Sequence, residues 1–255
     1  MKRIVKRAEP PLLTSYNTRT PQNTWEQFRK ERSRRQQLKR ALRTNQGGIC
    51  AYCEIDLKES DDHGNADFRV EHFHPKSDLS SDHNWGLDWQ NLLGCCHGGN
   101  QRHVVDADER FTPPDFSCDV PKADQVLDNV ILNPMEIPAF PCLFLVERSS
   151  GELKKNKPGC ETAGVATDKV DNTLHQLRLN AERLTKFRKR ILDKLNQEMR
   201  QQVSAGVSVA EARKKLAKIH LRKNSHGNWP AFFSSIRAYL GTEAENHLQA
   251  ISYTG

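Results

Sequence analysis

No stretch of this 255-residue chain approaches the roughly 18 consecutive apolar residues that a membrane-spanning helix needs. Hydrophobic residues make up 36% of it and the mean hydropathy is −0.76, so the composition is that of a soluble protein with no membrane partner. The basic start Met1-Lys2-Arg3-Ile4-Val5-Lys6-Arg7 leads into Glu9-Pro10-Pro11 and not into the apolar stretch of a secretory signal. A cytoplasmic location is expected. An even cysteine set is lacking too: there are seven, which excludes a fully paired disulfide framework and suits metal binding in a reducing compartment. Internal repeats are absent. So is any Walker A loop, so ATP dependence would have to come from a partner.

What the chain does have is positive charge, +7 formally, in two concentrations that suit a polyanionic partner. Arg29-Lys30-Glu31-Arg32-Ser33-Arg34-Arg35 continues into Lys39-Arg40 and Arg43, just ahead of a histidine-rich and cysteine-rich centre. Arg183, Lys186, Arg188, Lys189, Arg190 and Lys194 form the other. Arg32, Arg35 and Lys39, with Lys76 and Arg102 nearer the centre, are the candidate nucleic-acid contacts. Each cluster also reads as a solvated helix face.

The coarse organisation is a basic helical segment over 1–46, a centre over 47–116, a Pro-rich connector over 117–166 and a helical region over 167–255. Thr24 caps a helix with Trp25, Phe28, Leu38 and Leu42 as its apolar positions, ended by Gly47-Gly48. Cys142–Val146 is strand-like ahead of a turn signal, which predicts a hairpin. From Asp168 to about Met199 apolar residues recur at three- and four-residue steps, as in one long amphipathic helix. Ser208-Val209-Ala210-Glu211 starts a second, and Trp229-Pro230 opens a third. The centre is poor in apolar runs and rich in Asp, Asn, Gly and His, so a metal is expected to replace part of its core.

That centre carries the chemistry. In Val70-Glu71-His72-Phe73-His74-Pro75-Lys76-Ser77, His72 is the candidate general base, since a neutral imidazole accepts a proton near neutral pH. Glu71 is a hard oxygen ligand for Mg²⁺ or Mn²⁺. Alternation along a strand would aim the two apart, so a shared site requires a strand end or bulge. Asn91 is placed as a clamp on the loop carrying His72. Asn100, after Gly98-Gly99 at the expected start of a short helix, completes the metal pair, with His103 or His97 as its alternative. Cys50-x-x-Cys53 is half of a Zn²⁺ site, and the other half is irregular because Gly99 stands where the distal cysteine would fall. Cys50, Cys53, Cys95 and His97 make one set, Cys50, Cys53, Cys96 and His97 another, and a third reading has these thiols merely packing. Cys118, Cys142 and Cys160 read as ordinary thiols. His63, His83, His175, His220, His226 and His247 read as surface or packing residues, and His74 as lining the groove beside His72.

At Gly48-Ile49-Cys50-Ala51-Tyr52-Cys53-Glu54, Val70 to Ser77, Trp89-Gln90-Asn91-Leu92-Leu93 and the tail residues Leu177, Leu179 and Asn180, the chain resembles the HNH endonucleases. Among them it is similar to the PtuB-type proteins of Septu and retron-associated anti-phage systems. The resemblance implies an α+β protein with a ββα-metal core, His72 as base and Glu71 and Asn100 facing the metal. It further implies cleavage of DNA, with RNA or tRNA open, and a partner of the ABC or SMC-like ATPase (PtuA) type or a retron reverse transcriptase with its msDNA. Two rival readings are a zinc-knuckle nucleic-acid-binding module without catalysis and an interaction subunit with a decayed centre. The first does not account for the order Glu71, His72, Asn91, Asn100, and intact Glu71 and His72 count against the second.

Overall fold

Two antiparallel hairpins set among helices make up the residues that the computed structural model describes, 1–58 and 67–255. In chain order they are α1 (Pro11–Arg19), α2 (Trp25–Phe28), α3 (Arg32–Gln46), β1 (Arg69–His72), β2 (Leu92–Cys95), α4 (Ala107–Arg110), α5 (Asp119–Lys122), β3 (Phe144–Val146), β4 (Leu153–Lys155), α6 (Lys157–Ala163), α7 (Thr167–Gln176), α8 (Glu182–Ser204), α9 (Val209–His220), α10 (Phe233–Leu240) and α11 (Thr242–Ala250). The class is α+β, as expected. His63 lies outside the described residues.

Thr24 does cap a helix. Its side chain accepts from the Gln27 amide while Gln27 Oε1 accepts from the Thr24 amide at 2.7 Å, a reciprocal box that satisfies two otherwise orphan donors. The helix is not continuous, however: it stops after Phe28 and restarts at Arg32. Phe28 and Trp25 thereby turn into a cluster with Leu13, Leu38, Leu42, Trp89 and Leu92. Gly47 then takes the left-handed conformation at the end of α3.

The central hairpin pairs β1 with β2 in the register Arg69↔Cys95, Val70↔Gly94, Glu71↔Leu93 and His72↔Leu92. Its second edge is closed by a side chain. Gln46, buried at the end of α3, donates to the Gly94 carbonyl at 2.8 Å and to Ile49 O at 2.9 Å, and accepts from the Gly94 amide at 2.6 Å. Lys6 Nζ bonds the carbonyls of Trp89 and Leu92, and Trp89 Nε1 donates to Arg7 O at 3.0 Å, so the N-terminal stretch wraps the turn before β2.

The expected second hairpin is β3–β4. The expected single helix from Asp168 to Met199 is two, α7 and α8, broken at 177–181. Asn180 explains the break: its Oδ1 accepts from Leu153 N at 2.8 Å and its Nδ2 donates to Leu153 O at 2.9 Å, pairing with β4 as a strand residue would. Arg178 takes φ 45° to allow it, and the freed Leu177 carbonyl accepts from Cys118 N at 2.8 Å. Ser208 caps α9 through the Glu211 amide, whereas the helix expected from Trp229-Pro230 begins only at Phe233. One buried cluster contains Met1, Cys50, Leu127, Leu177 and Phe232, and therefore draws on every segment of the chain.

Asn180→Ala leaves the Leu153 amide and carbonyl without their partners. Such a loss costs about 2–4 kcal/mol at roughly 1–2 per group, expected as a lowered urea midpoint with an unchanged slope.

Candidate functional site

The Cys50–Cys53 turn lies against the strand edge that Gln46 leaves, with Ala51 N bonded to Gly94 O at 3.1 Å. Four thiols converge there: Cys50, Cys53, Cys96 and Cys118, all buried, with ligand atoms within 4.8 Å of one another. Sγ separations are 3.7 Å for Cys53–Cys96, 3.6 Å for Cys96–Cys118 and 4.0 Å for Cys50–Cys118. A tetrahedral ion with bonds of about 2.3 Å requires sulfurs about 3.8 Å apart. The donor set therefore fits a soft divalent cation.

This corrects both expected sets, and Cys118 is not an ordinary thiol. His97 turns away, its Nε2 lying 2.8 Å from Asp67 Oδ1, while Asp67 Oδ2 accepts from Val105 N at 2.7 Å. Cys95, 3.6 Å from Cys50 Sγ, sits beside the four and points its thiol at Asp119 Oδ1. The substitution of Cys118 for a distal cysteine at 99 is steric. Gly98 and Gly99 have φ +62° and +93°, and a Cβ on them would lie 2.3 Å from Ser117 O and 2.9 Å from Thr112 Oγ1. Only glycine permits residues 112–117 to come so close, bonding Ser117 N to Gly98 O and Thr112 N to Gly99 O. The next residue is Cys118. Asn100 consequently lies in a turn and not at a helix start, and the first helix after the hairpin is the four-residue α4.

The four thiols differ in the direction of their pKa shifts: burial pushes Cys53 and Cys118 well up. Hydrogen bonds from Cys118 and Cys50 push the Cys96 thiol well down. Arg183, only 5% exposed, donates to Ser117 Oγ at 2.7 Å and retains a buried Nε with no partner among the described residues. Burial disfavours its charge, but the surrounding Cys96, Cys53 and Cys118 more than offset that and raise its pKa. Burial lowers Arg188 to about 10, which leaves it cationic at neutral pH. Two buried guanidinium groups thus stand near a centre that four thiolates and a divalent ion would leave at −2.

His72, at the end of β1, is 7% exposed and donates from Nε2 to the Gly86 carbonyl at 3.1 Å. A carbonyl can only accept, so the proton belongs on Nε2 and Nδ1 presents a lone pair. Burial lowers the imidazole to about 4, which keeps it neutral at physiological pH. Asn91 bonds the loop that follows β1, not the two strands themselves. Its Oδ1 accepts from His74 N at 2.7 Å and its Nδ2 donates to His74 O and Trp85 O, both at 2.8 Å, fixing the loop that provides Gly86. His74 does not line an open groove; its ring lies between Asp78 and Asp128, at 2.8 and 3.0 Å, and 4.1 Å from the Trp85 ring.

Glu71 and His72 do not share a face. The ladder is regular through both residues, with no bulge, so alternation sends Glu71 inward to Lys122 Nζ at 2.9 Å and Tyr52 Oη at 3.2 Å. Asn100 Oδ1 accepts from Arg69 Nη2 at 2.6 Å. As they stand, these two donors do not fit Mg²⁺ or Mn²⁺: each is held by a cationic side chain. His103 is exposed.

Against the outer face of β1 runs a cleft of about 430 Å³ lined by Arg29, Arg32, Arg35 and Lys39 of the α2–α3 region, with Arg69 and Trp25. Trp25 also packs edge-on against the His72 ring at 4.9 Å. Three of the five expected nucleic-acid contacts therefore converge. Lys76 instead pairs with Glu26 at 3.5 Å and Arg102 lies over Phe111. Arg69 and Trp25 join Arg32, Arg35 and Lys39 in the cleft, Cys118 joins the thiols and Lys122 meets Glu71, placements that the sequence reading does not contain. The pattern of the α3 stripe, extended one turn back, leads to Arg29 and Trp25, whereas nothing local singles out Cys118 or Lys122.

A cysteine-braced hairpin that ends in a neutral buried histidine beside a basic cleft suits a nuclease. No protein-family profile matches the chain. The Escherichia coli protein named "Retron Ec83 putative HNH endonuclease" is 33% identical over 215 residues, 77% of this chain and 81% of that protein. The chain belongs to the HNH endonuclease family and is a nuclease. No helix among the described residues is long and apolar enough to cross a membrane.

The thiol geometry makes a divided expectation for metal content. Wild type, Cys95→Ala and His97→Ala should each retain one soft divalent ion per chain by elemental analysis, whereas Cys96→Ala and Cys118→Ala should lose it.

Proposed function

We propose that this protein hydrolyses phosphodiester bonds of nucleic acid, DNA first, with His72 as general base and a structural Zn²⁺ in the Cys50, Cys53, Cys96 and Cys118 set. The observation that carries the reading is the His72 tautomer, with Nε2 committed to Gly86 O and Nδ1 left to take a proton. In the reaction Nδ1 removes a proton from water as the water oxygen bonds phosphorus, the phosphorus bond to the leaving sugar oxygen breaks, that oxygen takes a proton from solvent water, and the imidazolium returns its proton to solvent. The guanidinium and ammonium groups of the cleft suit the added charge on the phosphoryl oxygens. They hold backbone and not bases, so this chain's own contacts favour binding without sequence preference. Zn²⁺ replaces the core that the Cys50-to-Phe116 stretch is too polar to build.

For Mg²⁺ or Mn²⁺ to use Glu71 and Asn100, those residues would have to exchange Lys122 and Arg69 for the ion. His103, being exposed, would be the alternative ligand. The hairpin would then correspond to the first two elements of a ββα-metal core, with the residues after Gly99 in place of a long helix.

The relative's name places that protein in a retron, and an anti-phage role for this chain follows as a proposal. Control by a partner suits a nuclease that carries its own base and cleft but no nucleotide-binding loop. An ABC or SMC-like ATPase of the PtuA type, or a retron reverse transcriptase with its msDNA, is that partner.

Purified protein incubated with plasmid DNA and with total tRNA, with and without added Mg²⁺ or Mn²⁺, tests this. Cleavage that His72→Ala abolishes is the expected result, with strong chelation abolishing it as the thiol centre is stripped. Equal cleavage by His72→Ala refutes the assignment. Arg35→Ala should weaken DNA binding alike across sequences and reduce the salt dependence by about one counterion, read by binding titrations at several salt concentrations.

A further inference from the structure

The short helix α5 touches the catalytic strand at both ends. Just before it, Cys118 joins the thiol cluster. Its first residue, Asp119, accepts from Arg69 Nη1 at 3.1 Å, at the start of β1. Its last, Lys122, has a side chain 1% exposed and reaches the other end of β1, where Nζ lies 2.9 Å from Glu71 Oε1 and donates to the His72 carbonyl at 3.0 Å. Tyr52, from the turn bearing Cys50 and Cys53, donates to the same Glu71 oxygen at 3.2 Å. Two short arms therefore join the thiol centre to the last two residues of the strand.

We propose that Lys122 is a positioning residue for His72, and that α5 transmits the order of the thiol centre to the catalytic strand through it. The inference rests on His72 being the base. An ammonium offers three donors and no acceptor, so it can hold a carboxylate and a carbonyl together. That suits the place where β1 leaves its ladder, since the next residue, Phe73, bonds back to Asn91 O. The His72 main chain is thereby held from both sides, by Lys122 at its carbonyl and by the Asn91 clamp just beyond, while the imidazole is held by Gly86. Glu71 then acts on the reaction through Lys122, as the counter-charge that lets an ammonium exist so far from water. A methionine of similar length fills the space but offers neither bond.

The test compares Lys122→Met and Lys122→Arg in the full chain. Lys122→Met is expected to lower kcat about 10- to 100-fold, the range typical of groups that orient a reacting residue through a second contact. KM should stay within about twofold, metal content should match wild type, and the His72 ring ¹⁵N signals should move. Lys122→Arg should recover much of kcat. Wild-type kcat, or unmoved His72 ring signals, in a folded Lys122→Met overturns the proposal. Should that variant fail to fold, the pair Glu71→Gln with Lys122→Met removes both buried charges and is compared with Glu71→Gln alone; a further fall in kcat with moved His72 ring signals is expected, and kcat and ring signals equal to those of Glu71→Gln alone overturn the proposal. If wild type itself cleaves no nucleic acid, the nuclease reading is what fails, and the His72 ring signals alone decide the role of Lys122.

Discussion

Four thiols from three separate stretches of the chain must meet within a few ångströms, and most of the centre follows from that requirement. The Cys50–Cys53 turn is pressed onto the edge of β2, Cys96 leaves the same strand, and Cys118 comes in from residues 112–118, which pack on a glycine pair. The polar stretch between these points would bury too little apolar surface to hold such a shape alone. Arg183 enters from α8 beside the thiols, its Nε without a partner among the described residues. The helical region is tied to the same turn by Glu54, whose carboxylate accepts from Ser234 N at 2.9 Å and Ser234 Oγ at 2.7 Å.

The pleat of a single strand gives its two faces different neighbours. Glu71 points to Tyr52 and to Lys122 of α5, whereas Val70 lines the basic cleft and His72 packs against Trp25 at its side; Arg69 reaches both, lining the cleft and pairing with Asp119. One face meets the thiol turn and α5, and the other carries the buried imidazole. Adjacent residues thus do different work with no departure from regular β geometry.

How much of this was legible in sequence depended on the range of the interaction concerned. Local signals were readable: the cap at Thr24, the Gly47 stop, the β3–β4 hairpin and the spacing of Arg32, Arg35 and Lys39 along one face of α3 all rest on neighbours or on one helical period. Continuity failed where a distant partner competed. Periodicity carries through 177–181, but Asn180 gains two bonds to Leu153 only by leaving the helix. Cys118 was unreadable for a related reason. Its membership depends on how closely one backbone passes another at Gly98, a fact about packing with no local residue signature. Alternation correctly warned that Glu71 and His72 would part, and the proposed bulge gave way because the ladder needs none.

The glycine pair also draws a line through sequence space. A cysteine at position 99 would restore the regular spacing of a zinc knuckle, yet its Cβ would lie 2.9 Å from Thr112 Oγ1 and 3.0 Å from Asp115 O, so it would expel the very segment that delivers Cys118. The two arrangements exclude one another on steric grounds. A chain could pass from one to the other only by rebuilding residues 112–118 in the same step, and relatives should therefore carry a cysteine at one of the two places, with glycine at position 99 accompanying the distant one.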